Sequence, residues 1–435
     1  MKWLVLVLLV LGAALIFQMG LLAFGIYTLL SVALLSRFLV QASVRRVQVR
    51  RTCSHAVAEV GTTILVAIEL VNDSPFPIPW LLLQDVLPFR AIAGPHPALA
   101  VRGSRIVMTL LWPRQRRRFH YQLHCRRRGY FQIGPLLLES GDLFGLFRKF
   151  RLADEPLFVM VYPEVVPLLS YDVASRRPIG EVVMTHRLYE DPTRIAGVRD
   201  YQAGDPLNRV HWKATARTGT LQSKVYEPST VAGATLVIDF HAGSYRREDE
   251  PLRSERTITA AASIAHALNQ MDQQVGLVSN GRDGADRIRV EGFRVPRITR
   301  HVARKLAEED VREARLRPVV TTASRGPESF TRLWEQLARL ELNQGLDFAQ
   351  LLIEAGSRIP RDATALALLG DVTEMHVLAL DEFQRRGYAV AAVVNEYDEE
   401  RFQAAAGPLI AAGIPVYRVR DDASIADMCR QMVLA

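Results

Sequence analysis

The segment from Arg187 to Glu227 is dense in Arg, Asp, Trp, Lys and Glu. Gly204-Asp205-Pro206 reads as a turn, with Asp205 placed to cap a short helix and Pro206 at its first position. In that helix Arg209 and Lys213 stand at i, i+4, as do Val210 with Ala214 and Trp212 with Ala216. One edge is then basic and the others small or apolar, which allows close packing. Two readings are open. In one, Arg199, Asp205, Arg209, Arg217 and Glu227 form a buried ion-pair network. In the other, the segment is a partner-docking or anion-binding surface. Catalysis has little to build on. His211 stands without a sequence partner, no nucleophile triad is evident, and Asn280-Gly281-Arg282-Asp283-Gly284 is a hairpin-like turn rather than a phosphate loop.

The elements around this segment are legible by pattern. Residues 230–435 alternate strands and helices. Apolar runs fall at Ala234–Phe240, Val275–Ser279, Thr364–Leu369, Tyr388–Val394 and Ile414–Val419. Helical patterns fall at Arg256–Met271, Pro327–Leu342, Val372–Arg386 and Glu400–Ala411. Short apolar strands separated by helices predict a doubly wound parallel sheet. Sites in such sheets lie at the carboxyl ends of strands, near the switch in strand order. Asp239 and Asp371 occupy two such ends, either to do chemistry or simply to cap helices and bond loop amides.

Arg199-x-Tyr201-x-x-Gly204-Asp205, Arg209-Val210-x-Trp212-Lys213-x-Thr215-Ala216-Arg217 and then Leu221, Lys224 and Glu227 resemble the hallmark of the domain-of-unknown-function 58 (DUF58) family. Arg126-Arg127-Arg128-Gly129-Tyr130, Ile133-Gly134-Pro135 and Asp142-Leu143-Phe144-Gly145-Leu146 resemble the block before it. Pro206 departs, standing where a second acid is common. The resemblance implies a bacterial membrane-anchored protein with a von Willebrand factor A-like C-terminal domain, whose genes often neighbour a MoxR-type AAA+ ATPase. It implies no established activity. In an A-type domain the strand-end loops hold a divalent ion through Asp-x-Ser-x-Ser, a Thr and an Asp, oxygen ligands suited to a hard cation. Here the corresponding candidate set for Mg²⁺ is Asp239, Ser244 and Asp371, with His241 and Gly243 where serines are expected and Thr321 or Thr322 as the distant hydroxyl.

The rest of the chain sets the context. The 435 residues are 49% hydrophobic and 23% charged, which excludes disordered and coiled-coil classes. Three scattered cysteines form no disulfide framework or zinc pair. Trp3 to Leu35 carries no charge and is too long for a signal peptide. It predicts a transmembrane helical hairpin over 1–44, turning near Gln18-Met19-Gly20, or else one long tilted span. Lys2 and the cluster Arg37, Arg45, Arg46, Arg50 and Arg51 place the following body in the cytoplasm, at the inner membrane. Residues 45–151 carry 17 Lys/Arg against 6 Asp/Glu, a net +11, whereas residues 152–435 carry 35 against 40, a net −5. Residues 45–165 read as short strands with Pro/Gly turns, a small β-sandwich, with Arg116–Arg118 and Arg126–Arg128 suited to anionic headgroups. The aromatics between these arginines, Phe119 and Tyr121, are assigned inward by strand alternation and do not serve base stacking, so nucleic acid is not the expected partner. The organisation expected is thus an α/β chain: hairpin (1–44), basic β-sandwich-like domain (45–165), linker with the motif (166–229), and A-like domain (230–435). The function expected is a cytoplasm-facing, membrane-anchored scaffold without an active site, working with the AAA+ ATPase. The rivals are a metal-dependent enzyme at the Asp239/Asp371 face and a nucleic-acid or anionic-lipid binder.

Overall fold

The computed structural model describes residues 20–142, 147–168, 190–202, 210–228, 233–291, 316–361 and 363–428. The chain divides into two compact units, Met1–Tyr162 with Arg287–Ala303, and Pro163–Asp286 with Arg304–Ala435.

The first unit opens with helix α1 (Gly20–Arg45). The expected transmembrane hairpin is overturned here. The described stretch is one continuous helix, and among the described residues no helix is long and apolar enough to cross a membrane. The uncharged part of α1 runs from Gly20 to Ser36, roughly 25 Å at 1.5 Å per residue, short of a hydrocarbon core of about 30 Å. The expected turn and first arm at 1–19 lie outside the described residues. The architecture is instead mixed α/β, with sheets beginning at Val47, directly after α1.

Eleven strands come next: β1 (Val47–Cys53), β2 (Val57–Glu59), β3 (Thr63–Asn72), β4 (Ile78–Asp85), β5 (Leu99–Arg102), β6 (Ile106–Leu111), β7 (Arg116–Cys125), β8 (Gly129–Ile133), β9 (Leu136–Gly141), β10 (Arg148–Asp154) and β11 (Leu157–Tyr162). They form sheets ordered β1-β3-β7-β5, β10-β9-β4-β6 and β2-β11-β8. Alternate residues of β3 (Ile64, Val66, Ile68, Leu70) and β4 (Leu81, Leu83) bury themselves in one shared core with Tyr121, Leu123 and Leu138. A polar cluster is built into that core. Asp85 accepts from Arg51 Nη1 (2.7 Å) and from the Tyr121 hydroxyl (2.7 Å), and Arg51 also donates to the Glu155 carbonyl. Arg51 therefore does not belong to the surface cluster assigned it from sequence; its side chain is fully buried against Asp85.

The second unit carries the hairpin β12 (Glu190–Asp200) and β13 (Gln222–Pro228), with helix α2 (Trp212–Thr218) between them. Its main sheet contains β14 (Gly233–Ile238), β15 (Gln274–Ser279), β16 (Val319–Ser324), β17 (Thr364–Leu369), β18 (Ala389–Asn395) and β19 (Val416–Val419). The order is β16-β15-β14-β17-β18-β19, parallel except for the antiparallel edge strand β16. Helices α3 (Leu252–Gln270) and α4 (Pro327–Arg339) pack with Leu236 and Ile238 on one face. Helices α5 (Phe348–Ala355), α6 (Glu374–Arg385) and α7 (Glu399–Ala411) pack with Val237 on the other. The four inner strands are buried on both sides, which is why they read as unbroken apolar runs. The order reverses between β14 and β17, and the crevice of such a sheet opens there.

Candidate functional site

Four neighbouring parallel strands each end in a polar residue: Asp239 after β14, Asn280 after β15, Asp371 just beyond β17, and Asn395 closing β18. Asp239 is fully buried. Its Oδ1 accepts from Asn280 Nδ2 (2.8 Å), and its Oδ2 faces His376 Nε2 (3.1 Å). Asn280 turns its own amide oxygen to the Phe240 N–H (2.6 Å), so one side chain ties together the ends of β14 and β15.

His376 sits in the first turn of α6 and stacks on Phe348 at 5.1 Å. The Thr373 N–H donates to its Nδ1 (3.1 Å), and Thr373 Oγ1 lies 2.6 Å from the same nitrogen. Nδ1 is thus the acceptor, and Nε2 carries the hydrogen given to Asp239. Burial pushes the Asp239 carboxyl up. Hydrogen bonds from His376, Ser244 and Asn280 outweigh it, and the group ends below its ordinary value of 3.8.

Asp371 is held differently. Arg253, in the first turn of α3, is fully buried and donates through Nη1 to Asp371 Oδ1 (2.9 Å), through Nη2 to Glu396 Oε2 (2.9 Å) and through Nε to the Asn395 carbonyl (2.7 Å). Arg246 Nε stands 3.5 Å from Asp371 Oδ2. One guanidinium so clamps the ends of β17 and β18 under α3, and Asn395 Nδ2 returns a bond to the Arg253 carbonyl (2.7 Å). The Ser244 carbonyl accepts from the Asp371 N–H (2.9 Å), which brings Asp239, Ser244 and Asp371 into one neighbourhood.

That donor set does not fit a Mg²⁺ ion. Both Asp371 oxygens face guanidinium nitrogens, and the two Asp239 oxygens face Asn280 and His376. Among the described residues no group of three His, Cys, Asp or Glu gathers to hold a metal. Thr321 and Thr322 lie inside edge strand β16, two strands from β14, and not beside Asp239.

The motif segment folds otherwise than its spacing suggests. Val210 is bridged to Ser223 in extended form and His211 caps the helix, its Nδ1 accepting from the Ala214 N–H (3.0 Å). The described helix begins at Trp212, so Val210 and His211 stand outside it. Gly219 ends it in the left-handed region at φ 74°, where a glycine carries no Cβ penalty. Gly204, Asp205 and Arg209 lie outside the described residues, as does the side chain of Glu227. Of the others, Arg199, Tyr201 and Lys224 are half-buried, and Trp212, Lys213 and Arg217 are exposed. Trp212 leaves 68% of its surface in water, and Val198 and Leu221 of the same hairpin are also exposed. Trp212, Lys213 and Arg217 are therefore displayed at a surface.

Residues 197–326 match the family described as "Protein of unknown function DUF58". The DUF58 match begins on β12 and covers the motif, α2, β14, the Asp239 loop and β15. "Uncharacterized protein YeaD" of Bacillus subtilis (strain 168) is 27% identical over 290 residues, covering 65% of this chain and 69% of that protein. Both findings support the DUF58 resemblance. Among solved structures, the ASH/PapD-like domain of human CEP192 matches at 14% identity, 27% of this chain and 83% of that chain, with a TM-score of 0.19. Proximal thread matrix protein 1 from the mussel byssus matches at 7% identity and 47% of each chain, with a TM-score of 0.28. Scores so low bear on neither fold nor function.

Sequence reasoning misses Arg253, Asn280, His376 and Glu396. A signal exists for two of them. Asn280 and Glu396 stand just past strand carboxyl ends, as Asp239 and Asp371 do, and inspecting the residue after every apolar run finds them. Arg253 and His376 lie in first turns of helices, where no spacing marks them.

Proposed function

We propose that this chain is a non-catalytic docking scaffold of the DUF58 family, held at the cytoplasmic face of a bacterial membrane, with the second unit acting as a von Willebrand A-like module. The observation that carries the reading is Trp212, an indole 68% exposed on a short helix capped at both ends, within the segment that matches the family. A large aromatic side chain in water is costly unless a partner covers it, and such residues are over-represented among the few that dominate binding energy. Lys213 and Arg217 frame it with positive charge. The partner is a protein with an apolar pocket rimmed by acids, and a MoxR-type AAA+ ATPase is the one that family gene neighbourhood favours.

The strand-end site supports the same reading from the other direction. Its acids are occupied by internal pairs, so it works as a frame. It pins α6 through His376, and α6 presents exposed Met375 and Leu378. The strand order, with an antiparallel edge at the third strand in sequence, supports the A-like assignment. Exposed apolar side chains along α1, among them Leu21, Phe24, Leu29 and Phe38, support attachment to a membrane.

The test is calorimetric titration of the MoxR-type ATPase from the same genome into the full chain and its Trp212→Ala variant. Binding weakened at least tenfold by the substitution is expected, in line with a loss of about 2 kcal/mol for a central aromatic. Equal binding by both chains, or none by either, overturns the proposal.

A further inference from the structure

The sheet β10-β9-β4-β6 turns an apolar face outward. One cross-strand row runs Phe150, Glu139, Leu82, Met108, and the next runs Leu152, Leu137, Gln84, Ile106. Met108 is 71% exposed and Phe150 74%. An antiparallel sheet with one wet face alternates apolar-in with polar-out. Strand β6 departs from that rule on its outer side, where Ile106, Met108 and Leu110 point to solvent while Thr109 and Leu111 are buried. Trp112, just beyond the strand, is also exposed. The acid in these rows, Glu139, is offset by Arg148 at 3.9 Å. The exposed apolar side chains stand on the two edge strands, β6 and β10, with Leu82 and Leu137 half-buried between them, and such a cluster marks an interaction surface.

We propose that this face rests on an anionic lipid surface, with Met108, Leu110, Trp112 and Phe150 entering the headgroup layer. Three features choose lipid as the occupant. Helix α1, with its own exposed apolar side chains, packs against β9 and β10 of this same sheet. The face combines aromatic side chains with exposed basic ones, Arg114 and Arg148, the composition that suits the membrane interface. Residues 45–151 carry a net +11, which attracts anionic headgroups and repels a second copy of itself. The inference rests on the membrane-held reading above and adds the face that meets the lipid.

The experiment uses the full chain reconstituted with vesicles of phosphatidylglycerol and phosphatidylethanolamine. Photoreactive benzoylphenylalanine replaces Met108 or Phe150, with Gln122 on the outer side of the other sheet as control. These positions are exposed, so the replacements leave the core intact. Irradiation is expected to give lipid adducts at 108 and 150 at least fivefold above those at 122. Equal labelling at all three sites, or adducts between two copies of the chain at 108, overturns the inference alone. A chain that fails to float with the vesicles overturns the membrane-held reading as well.

Discussion

Asp239 shows how a buried carboxylate is made tolerable. Its desolvation is opposed by three hydrogen bonds, from His376, Ser244 and Asn280, and these prevail, leaving the carboxyl below 3.8. As pH falls, the unfolded chain therefore takes up this proton before the folded chain does. The stabilisation from Asp239 is complete above the unfolded value and is lost as pH drops through it toward the folded one. Urea melts of the full chain at pH 7, 4 and 3 are expected to show that loss, and Asp239→Asn to lessen it. His376→Ala strips one donor from a buried charge and is expected to cost about 1.5–3 kcal/mol at pH 7 by the same melts. In the first unit, Arg51→Met leaves Asp85 buried without its cation, with an expected cost of about 3–5 kcal/mol, whereas Arg51→Met with Asp85→Leu recovers most of it. The two strand-end acids are visible in the sequence because each comes after an apolar run. Their neighbours are not, because His376 and Arg253 are brought in by helices from distant parts of the chain, and one chain's spacing does not encode that approach. Arg51 misleads for a related reason: it sits in a run of arginines, but strand alternation turns it inward while Arg50 stays nearer the surface.

At the scale of elements, apolar periodicity serves well wherever strands are covered on both sides. Thr364–Leu369 is a strand over the residues its pattern marks, and the Pro327 and Glu400 helices begin within one residue of their expected starts. Edge elements are harder. Strand β16 has a mixed burial pattern and no apolar run, and α5 spans only eight residues, too few for a period to show. The motif spacing, with Asp205-Pro206 as its local start signal, carries its helix through Val210 and His211. Tertiary pairing overrides it: the His211 N–H is bonded to the Gln222 carbonyl, and Val210 is bridged to Ser223, so the chain is still extended where the spacing predicts helix. The helix depends instead on His211 and Gly219. Gly219→Ala forces an L side chain into the left-handed region and is expected to cost about 1 kcal/mol. Hydrogen exchange should then speed at Ala214 through Gly219 with little change in β14 or β17. Uniform acceleration across the second unit instead means that α2 is not an independent local element.

Across the whole molecule the charge is segregated: +11 over residues 45–151 and −5 over residues 152–435. That asymmetry has no role in specifying fold, since neither unit needs the other's charge to form its core. It matters for what the chain approaches. Each basic side chain near an anionic surface contributes about 1 kcal/mol, and two of the 17 are unavailable, since Arg51 is buried on Asp85 and Arg128 is also buried. Exposed Arg114 and Arg148, beside the Met108 and Phe150 face, remain. The attraction is long-ranged only while the Debye length is long, about 10 Å at 0.1 M salt and nearer 4 Å at 0.5 M. Apolar insertion persists at high salt, since it does not depend on screening. Flotation of the full chain with phosphatidylglycerol vesicles is therefore expected to fall, but not vanish, between about 0.1 and 0.5 M sodium chloride. The Arg114→Ser/Arg148→Ser variant should start lower and fall less steeply, while its residual binding at high salt matches the parent chain. Binding that disappears at about 0.5 M assigns the attachment to charge alone and removes any part for the Met108 and Phe150 face. Binding indifferent to salt assigns it to apolar contact alone, and the basic surface must then serve a different partner.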